Sequence, residues 1–197
     1  MQEVRSEDLN TAIQIVVDNL PGISELYPNQ RQLLESLVKQ RNIFFTSATN
    51  SGKTLPAVIY PKVLDELNIL GYDISSGKVL FVTALNSIKL SMVASVTALG
   101  LECSAITVEN FDEVLSSRVS IIFISPEMMK LPRISSCLLA NRNSFVLKVI
   151  DECHLGVNIK QQLSYNFRGH SNHLFILMKF LVISVMIAIG SSKYSNI

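Results

Sequence analysis

Apolar residues recur along the chain at two spacings. In some stretches they return every third or fourth position, the period of a helix with one buried face. Elsewhere several apolar residues follow one another directly, as in strands that are buried on both faces. The helical spacing predicts helices over Ser6–Leu20, Pro28–Gln40, Leu85–Leu99, Phe111–Leu115 and Leu131–Ala140, and another from Thr54 onward. The apolar runs predict strands over Ile43–Phe45, Lys78–Thr83, Cys103–Val108, Val119–Ser125 and Phe145–Ile150.

The predicted helices and strands alternate along the chain, which is the pattern of a parallel sheet with helices on both faces. The predicted fold class is therefore α/β, with three layers around a parallel sheet. In folds of this kind, ligands bind beyond the carboxyl ends of the strands. The residues that directly follow the strands are the first place to look for chemistry.

The composition excludes several classes of protein. Of the 197 residues, 48% are hydrophobic and 17% are charged, so the chain is neither disordered nor fibrous. The net charge of +1 means that any nucleic-acid surface is local. Three cysteines without paired spacing predict free thiols in a reducing compartment and no structural metal. The polar N-terminus is unlike a secretory signal, so an intracellular protein is expected.

A phosphate-binding loop is the strongest local signal, in segment 42–55 with the sequence NIFFTSATNSGKTL. An apolar run leads through a turn of small polar residues into a helix, which is the order of elements in a P-loop. Lys53 would reach the β- and γ-phosphates, and the Thr54 hydroxyl would coordinate Mg²⁺. Ser47 stands where this pattern has a glycine, so an ordinary Ser/Thr-rich turn is the alternative. The predicted nucleotide-binding residues of the loop are Thr49, Asn50, Ser51, Gly52, Lys53 and Thr54.

A second motif follows the strand Phe145–Ile150, where the chain continues Asp-Glu-Cys-His. A carboxylate at the tip of a buried strand is costly unless a cation pairs with it, and nucleotide-bound Mg²⁺ is such a cation. Asp151 would hold Mg²⁺ and Glu152 would orient or deprotonate the attacking water. His154 is suited to sense the γ-phosphate or to contact a second lobe. An acidic turn after a strand is the alternative, but together with the P-loop the motif favours a Mg-nucleotide site with Lys53, Asp151 and Glu152 as catalytic residues.

With both motifs in view, the chain resembles the first RecA-like lobe of a superfamily 2 helicase, and more narrowly the RecQ family of ATP-dependent DNA helicases. The resemblance covers Ile23–Arg168. Tyr27–Gln30 is similar to the Q-motif of that family, which implies that Gln30 recognises the adenine edge. The cofactors that the resemblance implies are ATP and Mg²⁺, and the implied partner is single-stranded or forked DNA. In a eukaryote it would place the protein in the nucleus.

The resemblance also suggests a nucleic-acid surface. Val82–Ser87 resembles the motif Ia of the family, Ile124–Glu127 its "APE" segment, and Tyr165–Arg168 its aromatic-rich loop. For the first two segments, ordinary helix capping by Ser87 and Glu127 is an equally good explanation. The implied nucleic-acid contacts are Ser87, Glu127, Phe167 and Arg168.

Three segments are expected along the chain: an N-terminal helical extension over 1–22, the ATP-binding lobe over 23–170, and a divergent apolar tail over 171–197. Within the tail, 174–190 is almost entirely apolar. A sheet strand or an out-of-frame remnant is favoured there over a membrane anchor, which stays open as the alternative. Because the pattern of a second lobe with its arginine finger does not follow, we expect the chain alone to hydrolyse ATP poorly, as a truncated product or an incomplete gene model would.

Other functions compete with that of a RecQ-like helicase lobe. A non-catalytic, nucleotide-dependent nucleic-acid-binding fragment and an RNA helicase of the same superfamily remain alternatives. A small-molecule kinase or a GTPase would also contain a P-loop. Gln30, the Asp-Glu-Cys-His motif and the Ser-Pro-Glu segment count against a kinase, and a GTPase would show a base-reading NKxD motif that this sequence lacks.

Overall fold

In the computed structural model, the described residues are 3–39, 43–47, 52–83, 86–151 and 185–189. Helices and strands alternate as predicted through the first 151 residues. The helices are α1 (Ser6–Asp18), α2 (Pro28–Val38), α3 (Thr54–Ile69), α4 (Asn86–Ala98), α5 (Phe111–Ser116), α6 (Pro126–Met129) and α7 (Pro132–Ala140). The strands are β1 (Phe44–Ser47), β2 (Lys78–Val82), β3 (Cys103–Ala105), β4 (Ile121–Ile124), β5 (Phe145–Asp151) and β6 (Val185–Ile189).

The strands of the described residues form one sheet in the order β1-β6-β5-β2-β4-β3, and every neighbouring pair is parallel. Its carboxyl edge therefore gathers the ends of all these strands on one side of the molecule. This arrangement confirms the predicted α/β class with a parallel sheet.

Successive residues of the central strands point to opposite faces of the sheet, and each face meets a different set of helices. Phe81 and Phe123, from β2 and β4, pack with the apolar residues of α1 to α3 on one face, and their rings lie 5.3 Å apart. Leu80 and Ile122, from the same strands, pack with α5 and α7 on the other face. Both faces are covered, which confirms the three-layer arrangement and explains why the strands are apolar without alternation.

The N-terminal helix α1 packs directly on α3 and contributes buried residues to the same core. A polar cluster fastens its first turn to the loop before β2. The hydroxyl of Tyr72 donates to Asp8 Oδ2 over 2.5 Å and accepts from the backbone N–H of Arg5 over 3.0 Å. The Arg5 side chain also pairs with Asp8 at 2.7 Å. The extension over 1–22 thus includes a helix that shares the core of the sheet.

Most predicted elements begin and end within two residues of the observed ones, and two regions differ more. The strand expected over Cys103–Val108 ends at Ala105, because Asn110 donates to the Ala105 carbonyl over 3.0 Å and accepts from the Thr107 N–H over 2.7 Å. These bonds fold the chain into a turn in place of a continued strand. The helix expected from Leu131 is preceded by the short helix α6, which begins at Pro126 because proline is favoured in the first turn.

Part of the apolar tail lies in the middle of the sheet. Strand β6 (Val185–Ile189) pairs in parallel with β1 on one side and with β5 on the other. This part of the tail is thus a sheet strand, the first of the interpretations that its composition favours. No helix within the described ranges is long and apolar enough to cross a membrane. The proposed segment boundaries at 22 and 170 stay predictions.

Candidate functional site

The start of α3 presents the predicted phosphate-binding groups at the carboxyl edge of the sheet. Gly52 has a backbone φ of +66°, a left-handed conformation that favours glycine. Lys53 follows with only 8% of its surface exposed, and Thr54 is the first residue of the 16-residue helix. The N–H groups in the first turn of a helix have no partner within the helix, so this end favours an anion. Three predicted loop residues, Thr49, Asn50 and Ser51, lie outside the described residues.

Gln30 links this loop to helix α2. Its side chain is 2% exposed, and its Nε2 donates to the carbonyl oxygen of Gly52 over 2.9 Å. Its Oε1 accepts from the backbone N–H of Tyr27 over 2.9 Å. The structure thus brings together two residues that the sequence analysis assigns to different parts of a nucleotide. Recognition of adenine by Gln30 stays a prediction, and the bond to Gly52 is a further role that the sequence did not indicate.

The acidic motif begins at the same edge of the sheet. Asp151 is the last residue of β5, level with Ile187 of β6. Because β6 lies between β5 and β1, and neighbouring strands lie about 4.8 Å apart, β1 and β5 are about 10 Å apart across the sheet. Glu152 and His154 lie outside the described residues.

The predicted nucleic-acid residues are placed only in part. Ser87 lies in the first turn of α4, and Glu127 is exposed in the first turn of α6. Both turns follow strands at the carboxyl edge, the same edge that carries the loop. The capping hydroxyl of α6 belongs to Ser125, whose Oγ accepts from the Met128 N–H over 3.4 Å, so Glu127 is not the N-cap residue. Phe167 and Arg168 lie outside the described residues.

One polar residue at this edge was not singled out from the sequence. Thr83 directly follows β2 and is 1% exposed, and its Oγ1 is the one buried side-chain N or O atom in the described part of the chain that lacks a hydrogen-bond partner. Native proteins pair most buried hydroxyl groups, so such an atom calls for an explanation. A hydroxyl residue directly after an apolar strand was the available signal.

These features define the class of the protein: a RecA-like α/β lobe with a P-loop at the carboxyl edge of a parallel sheet. Comparison with known protein families then shows to which family of that class the chain belongs. The family described as "Type III restriction enzyme, res subunit" (ResIII) matches residues 23–173, which is more than half of the chain. The chain belongs to this family.

Solved structures show the same fold at low sequence identity. The UvsW helicase from bacteriophage T4 is 14% identical with a TM-score of 0.61, covering 99% of this chain and 63% of that one. A hypothetical ATP-dependent RNA helicase from Sulfolobus tokodaii is 16% identical with a TM-score of 0.56, covering 95% of this chain and 51% of that one.

The DUF1998 helicase MrfA is 16% identical with a TM-score of 0.55, covering 97% of this chain and 30% of that one. This chain thus spans less than two thirds of the length of each of these three structures. No curated protein sequence matches it significantly. At this identity the structures establish the fold alone, a RecA-like parallel sheet covered by helices on both faces.

Proposed function

We propose that the chain is the ATP-binding lobe of a RecQ-like DNA helicase, which couples Mg-ATP binding and hydrolysis to movement along a single strand of DNA and to unwinding. The observation that carries this proposal is the hydrogen bond between Gln30 Nε2 and the Gly52 carbonyl, 2.9 Å long. It joins a glutamine of the Q-motif type to the residue directly before the P-loop lysine. An ordinary Ser/Thr-rich turn would have no need of a buried glutamine held at this position.

The residues around Gly52 fit a nucleotide triphosphate. The left-handed backbone of Gly52 turns the chain into α3, so that Lys53 and the N-terminus of the helix present positive charge together. The Lys53 ammonium would contact the β- and γ-phosphates, and the Thr54 hydroxyl would bind Mg²⁺. Mg²⁺ held there would supply positive charge to neutralise the phosphate oxygens.

The acidic motif would supply the remaining groups. Asp151 lies at the end of β5, two strands away from β1. Its carboxylate would hold the cation through water. Glu152 would orient the attacking water and accept its proton. His154 would report the state of the γ-phosphate, or contact a second lobe.

The family description and one of the similar structures support a nucleic-acid partner, and they favour different types of nucleic acid. The family description names a subunit of a restriction enzyme, and this favours DNA. Ser87, Glu127, Phe167 and Arg168 are the proposed contacts. The second candidate is an RNA helicase, which the hypothetical RNA helicase among the similar structures favours. A nucleotide-dependent binding fragment without hydrolysis is the remaining alternative.

Titration calorimetry with Mg-ATP tests the proposal. We expect Lys53→Ala to weaken binding by about 1.5–3 kcal/mol, the usual value of a hydrogen bond to a charged group. Lys62→Ala is the matched control, since Lys62 lies exposed on the same helix. Equal affinity of the Lys53→Ala variant and the parent for Mg-ATP would refute the nucleotide site.

Binding of labelled single strands of DNA and RNA, each with and without a non-hydrolysable ATP analogue, then separates the two candidates. A DNA helicase lobe should bind the DNA strand more tightly than the RNA strand. Preference for RNA would favour the second candidate, and equal binding without any effect of nucleotide would contradict both.

A further inference from the structure

The hydroxyl of Thr83 is buried at the edge of the sheet where the proposed nucleotide would bind, and it has no hydrogen-bond partner in the described part of the chain. The residue is 1% exposed and its Oγ1 has no partner among the described residues. Its backbone N–H, in contrast, donates to the Ile124 carbonyl of β4 over 3.0 Å. Valine has nearly the same shape as threonine and would fill this position without burying an unpaired polar atom.

The register of the sheet gives the position of Thr83 relative to the acidic motif. Val82 is level with Ile150 of β5. Thr83 and Asp151 are the next residues of the two chains, so a continued register places Thr83 beside Asp151. On its other side Val82 is level with Ile124, so Thr83 is also level with Ser125.

Ser125 is an internal comparison for Thr83. It is 3% exposed, and its Oγ accepts a hydrogen bond from Met128. Two hydroxyl residues thus stand side by side at the ends of neighbouring strands. Of these two, the one next to Asp151 lacks a partner in the described part of the chain.

We propose that Thr83 is a positioning residue of the nucleotide site, whose hydroxyl donates a hydrogen bond to the carboxylate of Asp151 when Mg-nucleotide is bound. The proposal rests on the function proposed above. A bound cation requires Asp151 to be ionised and held in one orientation, and an ionised carboxylate accepts hydrogen bonds more strongly than a neutral group. The Thr83 hydroxyl is then the group that donates this hydrogen bond to Asp151 in the bound state.

The experiment compares Thr83→Val, Thr83→Ser and a control, Ser135→Ala, with the parent. Ser135 is 1% exposed and its hydroxyl donates to the Pro132 carbonyl over 3.0 Å, so the control removes a buried hydroxyl that already has a partner, away from the site. Thermal unfolding is measured without nucleotide. The affinity for ATP is measured by calorimetry, once with Mg²⁺ and once with a chelator.

Without nucleotide, we expect Thr83→Val to be at least as stable as the parent, because it removes an unpaired buried oxygen, and Ser135→Ala to have a lower melting temperature. With Mg²⁺, Thr83→Val should bind ATP about tenfold to a hundredfold more weakly, the equivalent of one hydrogen bond to a charged group. With the chelator, its affinity should equal that of the parent. Thr83→Ser should restore the Mg²⁺-dependent affinity.

Three results would overturn the inference. A lower melting temperature for Thr83→Val without nucleotide would mean that the hydroxyl already has a partner in the free protein. Unchanged affinity for Mg-ATP would remove its role in the site, and an equal loss with and without Mg²⁺ would separate it from Asp151. If the parent itself does not bind Mg-ATP, the proposed function fails, and the inference that rests on it fails with it.

Discussion

The α-carbon of Gly52 faces the carboxamide of Gln30 so closely that a β-carbon on residue 52 would lie 2.5 Å from Gln30 Nε2. Such a distance is shorter than van der Waals contact, so the two groups could not both stay in place. The same Nε2 donates to the Gly52 carbonyl. Glycine is therefore favoured at this position for two reasons, its left-handed backbone and the close approach of the glutamine side chain.

The first prediction is that Gly52→Ala weakens both the fold and the site. The left-handed backbone would cost about 1–2 kcal/mol with any β-carbon, and displacing Gln30 would add the loss of a buried hydrogen bond, about 1 kcal/mol. Gly100→Ala is the control, because Gly100 has a φ of +73° but a β-carbon there would meet no neighbouring group within 4 Å. Urea denaturation of both variants separates backbone strain from the contact with Gln30. Equal destabilisation by the two substitutions would contradict the role of that contact.

The second prediction concerns the choice of base. Gln30 Nε2 and Oε1 already bond Gly52 and Tyr27, so to match the N6/N7 edge of adenine the carboxamide would use its second N–H and its second lone pair. We expect the parent to prefer ATP over GTP, and Gln30→Ala to lose much of that preference together with some affinity, because the loop loses its tie to α2. Gln32→Ala, an exposed glutamine on the same helix, is the control. A competition assay in which GTP binds the parent as well as ATP does would show that Gln30 does not read adenine.

The sequence predicted those parts of the fold that depend on local pattern. The apolar runs of β2 and β4 are buried on both faces, and buried and partly buried residues alternate along β5, so composition alone marked these segments as inner strands. The hydrogen bond from Gln30 to Gly52 could not be predicted from the sequence pattern, because it joins residues 22 apart and depends on how two helices pack. Thr83 was missed for a similar reason: what distinguishes it from Ser125 is a missing partner, which spacing cannot reveal.

The third prediction is a pH dependence of stability that arises at the N-terminal helix. The Arg5 side chain, and then the Tyr72 hydroxyl, lower the pKa of Asp8 through hydrogen bonds. A carboxylate with a lowered pKa in the folded state adds stability above its ordinary pKa of about 3.9, and this stability is lost as the pH falls through the lowered value. Asp8→Asn imitates the protonated group and should lower stability at neutral pH.

The difference between Asp8→Asn and the parent should therefore shrink as the pH falls below about 4 and should disappear once Asp8 of the parent is protonated. Urea denaturation at a series of pH values measures it. Asp18→Asn is the control on the same helix, since its carboxylate accepts from the neutral side chain of Gln14 at 2.7 Å. A difference between Asp8→Asn and the parent that stays constant over this pH range would contradict the assignment.

The last prediction tests the place of β6 in the sheet by two truncations that differ by six residues. A chain that ends at residue 190 keeps β6, and a chain that ends at 184 loses it. Without β6, the inner edges of β1 and β5 would have unpaired backbone groups, since β6 pairs with both strands. Buried backbone groups without partners are costly, and open strand edges promote aggregation. We therefore expect the longer chain to unfold cooperatively and to bind Mg-ATP, and the shorter chain to do neither, as followed by circular dichroism on heating and by calorimetry. Equal melting temperatures for the two chains would show that the stability of the sheet does not depend on β6.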